Sequence, residues 1–292
     1  MAITRAPVTQ DAWRPWALRV LLALGLLALL PALPVWTPLQ RLEHDLLASW
    51  TAAPPPDAGV LVVGLDEPSL AALNLTPPLP RRLHAQLVQA LSAAGASALG
   101  IDMLFAAPQS PADDAALAAA LQGRMPVVLA AADVAVNTSQ VAQYRQTVPS
   151  VFPMARQGSV AVQPDDDGVL RLAPAGSDAL WQELARSGGR SFQPPPPGAL
   201  LRYYAPEVPL PYAHYTQALE AGQALPAAAV QGRLVLLGQN TPVDGVDQFA
   251  TPLRALGAGT QSGVLVHATA LVNGLAGDWV VPAHPAGPWL QA

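Results

Sequence analysis

The first sustained pattern along the chain is a gap in its polar positions. From Val20 to Leu39 there are 20 uncharged, mostly apolar residues, bounded by Arg19 and Arg41. At about 1.5 Å per residue, a helix of that length crosses a hydrocarbon core of about 30 Å. The segment therefore predicts a transmembrane helix over residues 17–37. Arg5, Arg14 and Arg19 precede it, so the positive-inside rule puts residues 1–16 in the cytosol and the rest outside. Trp13, Trp16 and Trp36 stand near its ends, as interfacial aromatics do. A cleaved signal peptide is the alternative, but it would have a shorter apolar core, and "PALPVW" offers no small-x-small site. "LQRLEHDLLASW" then sets Leu39, Leu42, Leu46 and Leu47 on one side of a short amphipathic helix. "TAAPPPD" breaks that helix, so residues 38–58 read as a juxtamembrane helix and linker.

From Gly59 onward, apolar runs alternate with helically spaced stretches. "VLVVGL" is a strand and "PSLAAL" a short helical turn. "LPRRLHAQLVQALSAAG" sets Leu83, Leu87, Val88 and Leu91 on one face and stops at Gly95. "SALGIDMLF" is a second strand, "PADDAALAAALQG" a helix with acids in its first turn, and "MPVVLAAADV" a third strand. Near-continuous apolar strands separated by helices predict a parallel sheet covered on both faces. The middle differs. "GSVAVQPDDDGVLRLAPAG" reads as an inserted antiparallel hairpin with a solvated tip, and "ALLRYYAP" as a further strand. The helix "SDALWQELARSG" and the stiff linker "QPPPPG" lie between them. The parallel pattern returns with the helix "YTQALEAG", the strand "GRLVLLGQN" and the helix "GVLVHATALVNGLAG". The fold class is thus α/β, a mostly parallel sheet covered by helices on both faces over residues 59–280, preceded by one transmembrane helix and followed by a proline-rich segment, 281–292.

Composition narrows the function. About half of the 292 residues are hydrophobic, enough for a sizeable core. A net charge of −5 with no basic cluster excludes nucleic acid as a partner. The absence of cysteine removes disulfides, thiolate metal sites and cysteine nucleophiles. No histidine pair has zinc-ligand spacing, Ser69 lacks a G-x-S-x-G context, and no G-x-G-x-x-G loop is present. His267, on the apolar last helix, reads as a hydrogen-bonded packing residue. "PDDDG" resembles part of an EF-hand loop, but Leu172 and Ala175 fall where oxygen ligands are needed. Arg171 follows the loop and can pair with one of its acids, at small gain if the pair is exposed.

What stands out is where the acids lie. Two strands end in carboxylates, at Asp66–Glu67 and at Asp102, and a third opens into a loop with Gln239 and Asn240 at its start and Asp244 and Asp247 beyond. In an open α/β sheet ligands bind at the carboxyl ends of the strands. Asp66, Glu67, Asp102, Gln239, Asn240 and Asp247 are therefore candidate ligand-binding residues. Asp66, Asp102 and Asp247 are candidate ligands for Ca²⁺ or Mg²⁺, which take all-oxygen sets. The competing reading is structural: Asp66 caps the turn that begins at Pro68, and Asp247 orders its own loop. No catalytic residue and no resident cofactor emerge.

"VLVVGLDEPSL", "ASALGIDMLFAAP", "DDDGVLRLAP", "GRLVLLGQNTPVDGVDQFATPL" and "GVLVHATALVNGL", in that order, resemble the second type of CHASE domain over roughly residues 38–280. The resemblance implies an extracytoplasmic sensor module of a bacterial membrane receptor, in the inner membrane with residues 38–292 mainly periplasmic. It also implies a small-molecule or protein signal, a homodimer, and a cytosolic adenylate cyclase, histidine kinase or serine/threonine kinase as effector. The effector is expected outside this chain, since Ala292 falls where a further membrane helix would begin. The rival class is an envelope hydrolase or scaffold that uses the carboxylate-lined sheet edge.

Overall fold

The computed structural model describes residues 14–29, 35–136, 144–147, 151–174, 176–241, 247–257 and 259–282. The chain divides into two units, Met1–Leu47 and Ala48–Ala292. The first holds α1 (Arg14–Leu29) and most of α2 (Trp36–Trp50). Among the described residues no helix is long and apolar enough to cross a membrane. α1 has 16 residues, about 24 Å at 1.5 Å per residue, and residues 30–34 of the predicted span lie outside the described residues. So do most of the predicted cytosolic tail and residues 283–292 of the last segment. On α2 the apolar positions Leu39, Leu42 and Leu47 are exposed.

The second unit is built on six parallel strands in the order β6-β3-β2-β8-β1-β7. These are β1 (Val60–Leu65), β2 (Ala98–Asp102), β3 (Val127–Ala131), β6 (Arg156–Ser159), β7 (Tyr212–His214) and β8 (Leu234–Gln239). Alternate residues of the apolar strands serve two cores, as the two-residue period of a strand requires. Leu61, Val63, Leu99, Ile101, Val235 and Leu237 pack with α4 (Arg81–Ala93), α5 (Pro111–Leu121) and α7 (Tyr215–Leu219). Val60, Val62, Ala98, Leu234 and Leu236 pack with α6 (Leu180–Ser187) and α8 (Gly263–Ala276) on the other face. Helices therefore cover both faces, as the sequence predicts.

Local chemistry sets the helix ends. Asp66 is the N-cap of α3 (Glu67–Leu73), Ser110 caps α5, and Gly277 ends α8 in the left-handed region at φ 68°. Gly238 lets α8 reach the sheet, since a Cβ there would stand 2.5 Å from the Val264 Cβ.

The antiparallel hairpin is not where the sequence puts it. Residues 156–159 join the parallel sheet as its edge strand beside β3. Beyond "PDDDG", Val169 bridges Ala250 and Leu172 bridges Leu200, so the two arms never pair with each other. Gly158 allows this, because the Leu180 backbone occupies the place of its missing Cβ. Nor is the loop solvated throughout. Arg171 is fully buried and reaches Asp165 at 2.6 Å and Asp167 at 2.9 Å, with the Asp165 side chain only 2% exposed. "ALLRYYAP" contributes single bridges at Leu200 and no regular strand. Among the described residues the antiparallel strand pairs are β4 (Asp133–Val136) with β5 (Tyr144–Thr147), and β9 (Gln248–Ala250) with β10 (Thr260–Ser262).

Candidate functional site

Strand order creates the site. β8 lies between β1 and β2, and in register Leu65 stands beside Gln239 and Asp102 beside Gly238. The chain leaves β1 and β2 toward the α4/α5 face, whereas β8 leads to α8 on the opposite face. Where connections depart to opposite sides, the carboxyl ends of neighbouring strands leave a crevice. A cavity of about 560 Å³ occupies that place. Its wall is mainly apolar, with Leu65, Leu79, Phe105, Val162 and Phe249 among the lining residues, which suits a small-molecule site.

Three sequence-predicted residues meet there: Asp102, Gln239 and Asp247. Asp102 makes no hydrogen bond or ion pair among the described residues, and burial pushes its carboxyl up to about 7. Asp247 is exposed overall, yet loss of hydration first and the neighbouring Asp102 second push its carboxyl up to about 6, against the pull of His267 and the Gly263 N–H. Its backbone is left-handed at φ 65°, a conformation costly for most side chains and tolerated by aspartate. Gly263 permits the approach, since a Cβ there would lie 2.3 Å from the Asp247 carboxylate. Gln239 donates its amide N–H to Thr241 Oγ1 at 2.8 Å.

Asp66 is engaged elsewhere. It accepts from the Ser69 N–H at 3.1 Å, Ser69 Oγ at 2.6 Å, Tyr212 Oη at 2.7 Å and His214 Nδ1 at 2.6 Å. Desolvation raises its carboxyl, but the bonds from Ser69, Tyr212 and His214 outweigh it and hold the group below its ordinary value. Asn240 extends this network, donating to Tyr212 Oη at 3.1 Å and accepting from Ser262 Oγ at 3.0 Å. Neither Asp66, Glu67 nor Asn240 lines the cavity, so the structural reading of Asp66 as a cap is the one its geometry carries. Asp244 lies outside the described residues. Among the described residues no three histidine, aspartate or glutamate side chains are grouped to hold a metal ion.

The structure adds three residues that sequence reasoning leaves out: Arg81 and His84 at the start of α4, and His267 in the second turn of α8. Arg81 is already satisfied by Asp114 at 2.6 Å and by the Ala107 carbonyl, and its guanidinium lies over Phe105 and Phe152. His84 shares a 3.0 Å hydrogen bond with Tyr215 Oη, and burial pulls it down to about 4, with Arg81 adding to the shift. His267 is only 2% exposed, and its Nδ1 has no partner among the described residues. Burial lowers it to about 4, although Asp247 and the Val160 carbonyl pull it back up. It is therefore a neutral imidazole that bonds the Val160 carbonyl, as the packing residue its helix suggests would, and keeps one ring nitrogen, Nδ1, without a partner among the described residues. The signal within reach was its position in the first turns of the helix that follows the acidic loop and its short β9–β10 excursion.

An unpartnered carboxyl that is largely shielded from water, as Asp102 is, costs stability, and the cost depends on pH. An acid whose folded-state value exceeds its unfolded value holds its proton more tightly when folded. The penalty is absent below about pH 4, grows toward about pH 7 and is constant above. Asp102→Asn is expected to stabilise the protein by roughly 1–3 kcal/mol at pH 8 and to leave stability unchanged at pH 4. Urea denaturation at the two pH values reads this; equal effects at both would show that the carboxyl is not desolvated.

A protein-family model described as "CHASE2 domain" matches residues 20–291. No curated protein and no solved structure matches the chain significantly.

Proposed function

The chain belongs to the CHASE2 domain family, a family of sensory domains of receptors, and we propose that it is the input domain of a bacterial transmembrane receptor whose ligand enters the cleft between β1, β8 and β2. The family match over nearly the whole chain carries this reading. The cleft supports it with a concave, mainly apolar cavity at the ends of three adjoining strands.

The fold suggests a route for the signal. α8 begins at the cleft with Gly263 and His267 and runs 14 residues to Ala276, about 21 Å. The segment after it is tied back by reciprocal Leu200–Val280 backbone hydrogen bonds of 2.8 and 3.1 Å. A ligand that binds better to one placement of α8 shifts the population of that placement, and the shift reaches the segment toward residue 292.

Membrane attachment through residues 17–37, with residues 38–292 mainly periplasmic, belongs to the same proposal. Trp16, Leu18, Leu21, Leu22 and Leu24 of α1 are each more than half exposed, an apolar surface that lipid would cover. The receptor acts as a homodimer and passes its signal to a cytosolic cyclase or kinase.

The absence of cysteine makes the sidedness testable. Gln223→Cys puts one thiol at an exposed position remote from the cleft. A membrane-impermeant maleimide is expected to label it in cells whose outer membrane is permeabilised and whose inner membrane is intact. Labelling only after the inner membrane is broken would place the domain in the cytosol and end the proposal.

A further inference from the structure

We propose that the cleft binds an organic amine, with the apolar body of the ligand filling the cavity and its protonated nitrogen held between Asp102, Asp247 and His267. The proposal rests on reading the cleft as the input site and adds the chemical class of what enters it.

The first argument is a mismatch of hydrogen-bonding groups. At the polar end of the cavity, several acceptors have no donor among the described residues. Asp102 has no partner among the described residues, and the Asp247 carboxylate meets the Gly263 N–H. Gln239 gives one amide N–H to Thr241, and its carbonyl oxygen accepts from no donor among the described residues. The unpaired Nδ1 of His267, on a side chain 98% shielded from solvent and lining this cavity, is the independent sign that something is missing. Buried polar atoms without partners are rare, because each costs the hydration it has lost. A neutral imidazole nitrogen and two carboxylates are satisfied together by a group with several N–H donors.

The second argument is charge. Among the described residues, the titratable groups facing the cleft are Arg81 and His84 from α4, Asp102 from β2, Asp247 before β9 and His267 from α8. Arg81 is neutralised by Asp114, outside the cavity, and both histidines are neutral. The cleft is left with two carboxyls and no free cation among the described residues. A cationic ligand stabilises their ionised forms, and an anionic ligand meets repulsion.

The third argument separates an amine from a bare metal ion. Calcium and magnesium want six or more oxygens, and no metal-holding group exists among the described residues. An ion would also leave about 560 Å³ of mainly apolar space unfilled. Phe105 and Phe249 instead offer aromatic surface to an organic body and its cationic head.

Isothermal titration of the full chain in detergent, at pH 8, with phenethylamine, 2-phenylethanol and 3-phenylpropanoate tests this on one shared body. Phenethylamine is expected to bind at least about tenfold more tightly than the alcohol, and the carboxylate more weakly than either. Asp102→Asn and Asp247→Asn are each expected to weaken the amine about tenfold. Asp102→Asn should fold at least as well as wild type, so its loss of binding would not report unfolding. Equal affinity for amine and alcohol would overturn the amine proposal and keep the cleft as a ligand site, as would tighter binding of the carboxylate. Unchanged amine affinity in both variants would place any binding elsewhere. Binding of none of the three would end both readings. A Ca²⁺ or Mg²⁺ titration whose heat vanishes in Asp102→Asn would give the acids to a metal and overturn the proposal.

Discussion

Replacing Trp181 with alanine is expected to cost about 3–5 kcal/mol of folding stability. Trp181, in α6, is the largest fully buried side chain of the core on the α6/α8 face. Its ring meets Phe192 at 5.4 Å and Trp279 at 5.5 Å between centroids. Its indole N–H donates to the Pro174 carbonyl at 3.1 Å. The fit against α8 is tight, since a Cβ on Gly274 would stand 2.3 Å from the indole. Removing the ring therefore opens a void between two helices that cannot close without moving α8, and it also strips a buried carbonyl of its donor. Trp181→Phe keeps most of the packing and should cost less than half as much. Gly274→Ala attacks the same contact from the other side and should cost about 1–3 kcal/mol by overpacking. Urea denaturation followed by far-ultraviolet circular dichroism measures all three. A loss below about 1 kcal/mol for Trp181→Ala would mean that α8 collapses onto α6, contrary to the packing described.

This contact also shows what a sequence carries and what it does not. β1, β2 and β8 were legible because both faces of a central parallel strand are buried, which turns the strand into a continuous apolar run. β7 was not legible: Tyr212–His214 is three residues at the sheet edge, too short to show a period. Residues 156–159 look like one arm of a hairpin because alternation around a turn is the same signal whichever strand answers it. The partner here is β3, chosen by the close packing of Gly158 on Leu180. For the site, the rule that ligands gather at strand ends found Asp102, Gln239 and Asp247. The same rule also gathered Asp66, whose carboxylate is taken up by Ser69, Tyr212 and His214. Tyr212 and His214 lie nearly 150 residues away, so nothing local announces the competition. Arg81, His84 and His267 sit on helices, and which way such a residue faces depends on how the helix is laid on the sheet. Tertiary packing alone decides that.

The second large effect is expected at Arg171, where the reading of a solvated loop fails most clearly. Its guanidinium is fully buried, and Nη1 donates to Asp165 at 2.6 Å and to Asp167 at 3.0 Å, while Nη2 reaches Asp167 at 2.9 Å. The Asp165 side chain is 2% exposed and that of Asp167 30%, so the two ion pairs have different worth. A surface pair contributes about 0–1 kcal/mol, but removing one partner of a buried pair strands a charge that water cannot reach, at about 3–5 kcal/mol. Arg171→Leu is expected to fall in that higher range because the Asp165 side chain, 2% exposed, loses the guanidinium that offsets its charge. The loop is tied in on both sides of the arginine, by Leu170 N–H to Ala250 at 2.8 Å and by Leu201 N–H to the Arg171 carbonyl at 2.8 Å. The stranded carboxylate therefore cannot swing out to solvent without breaking those links. If burial of the charge is the cause, Arg171→Leu combined with Asp165→Asn should recover a substantial part of the loss, since the acid that remains, Asp167, reaches water. Adding Asp167→Asn to Arg171→Leu should recover little, because Asp167 keeps access to water. Denaturant midpoints of the single and double variants decide it; equal recovery from the two asparagine changes would mean that the loop opens and hydrates both acids.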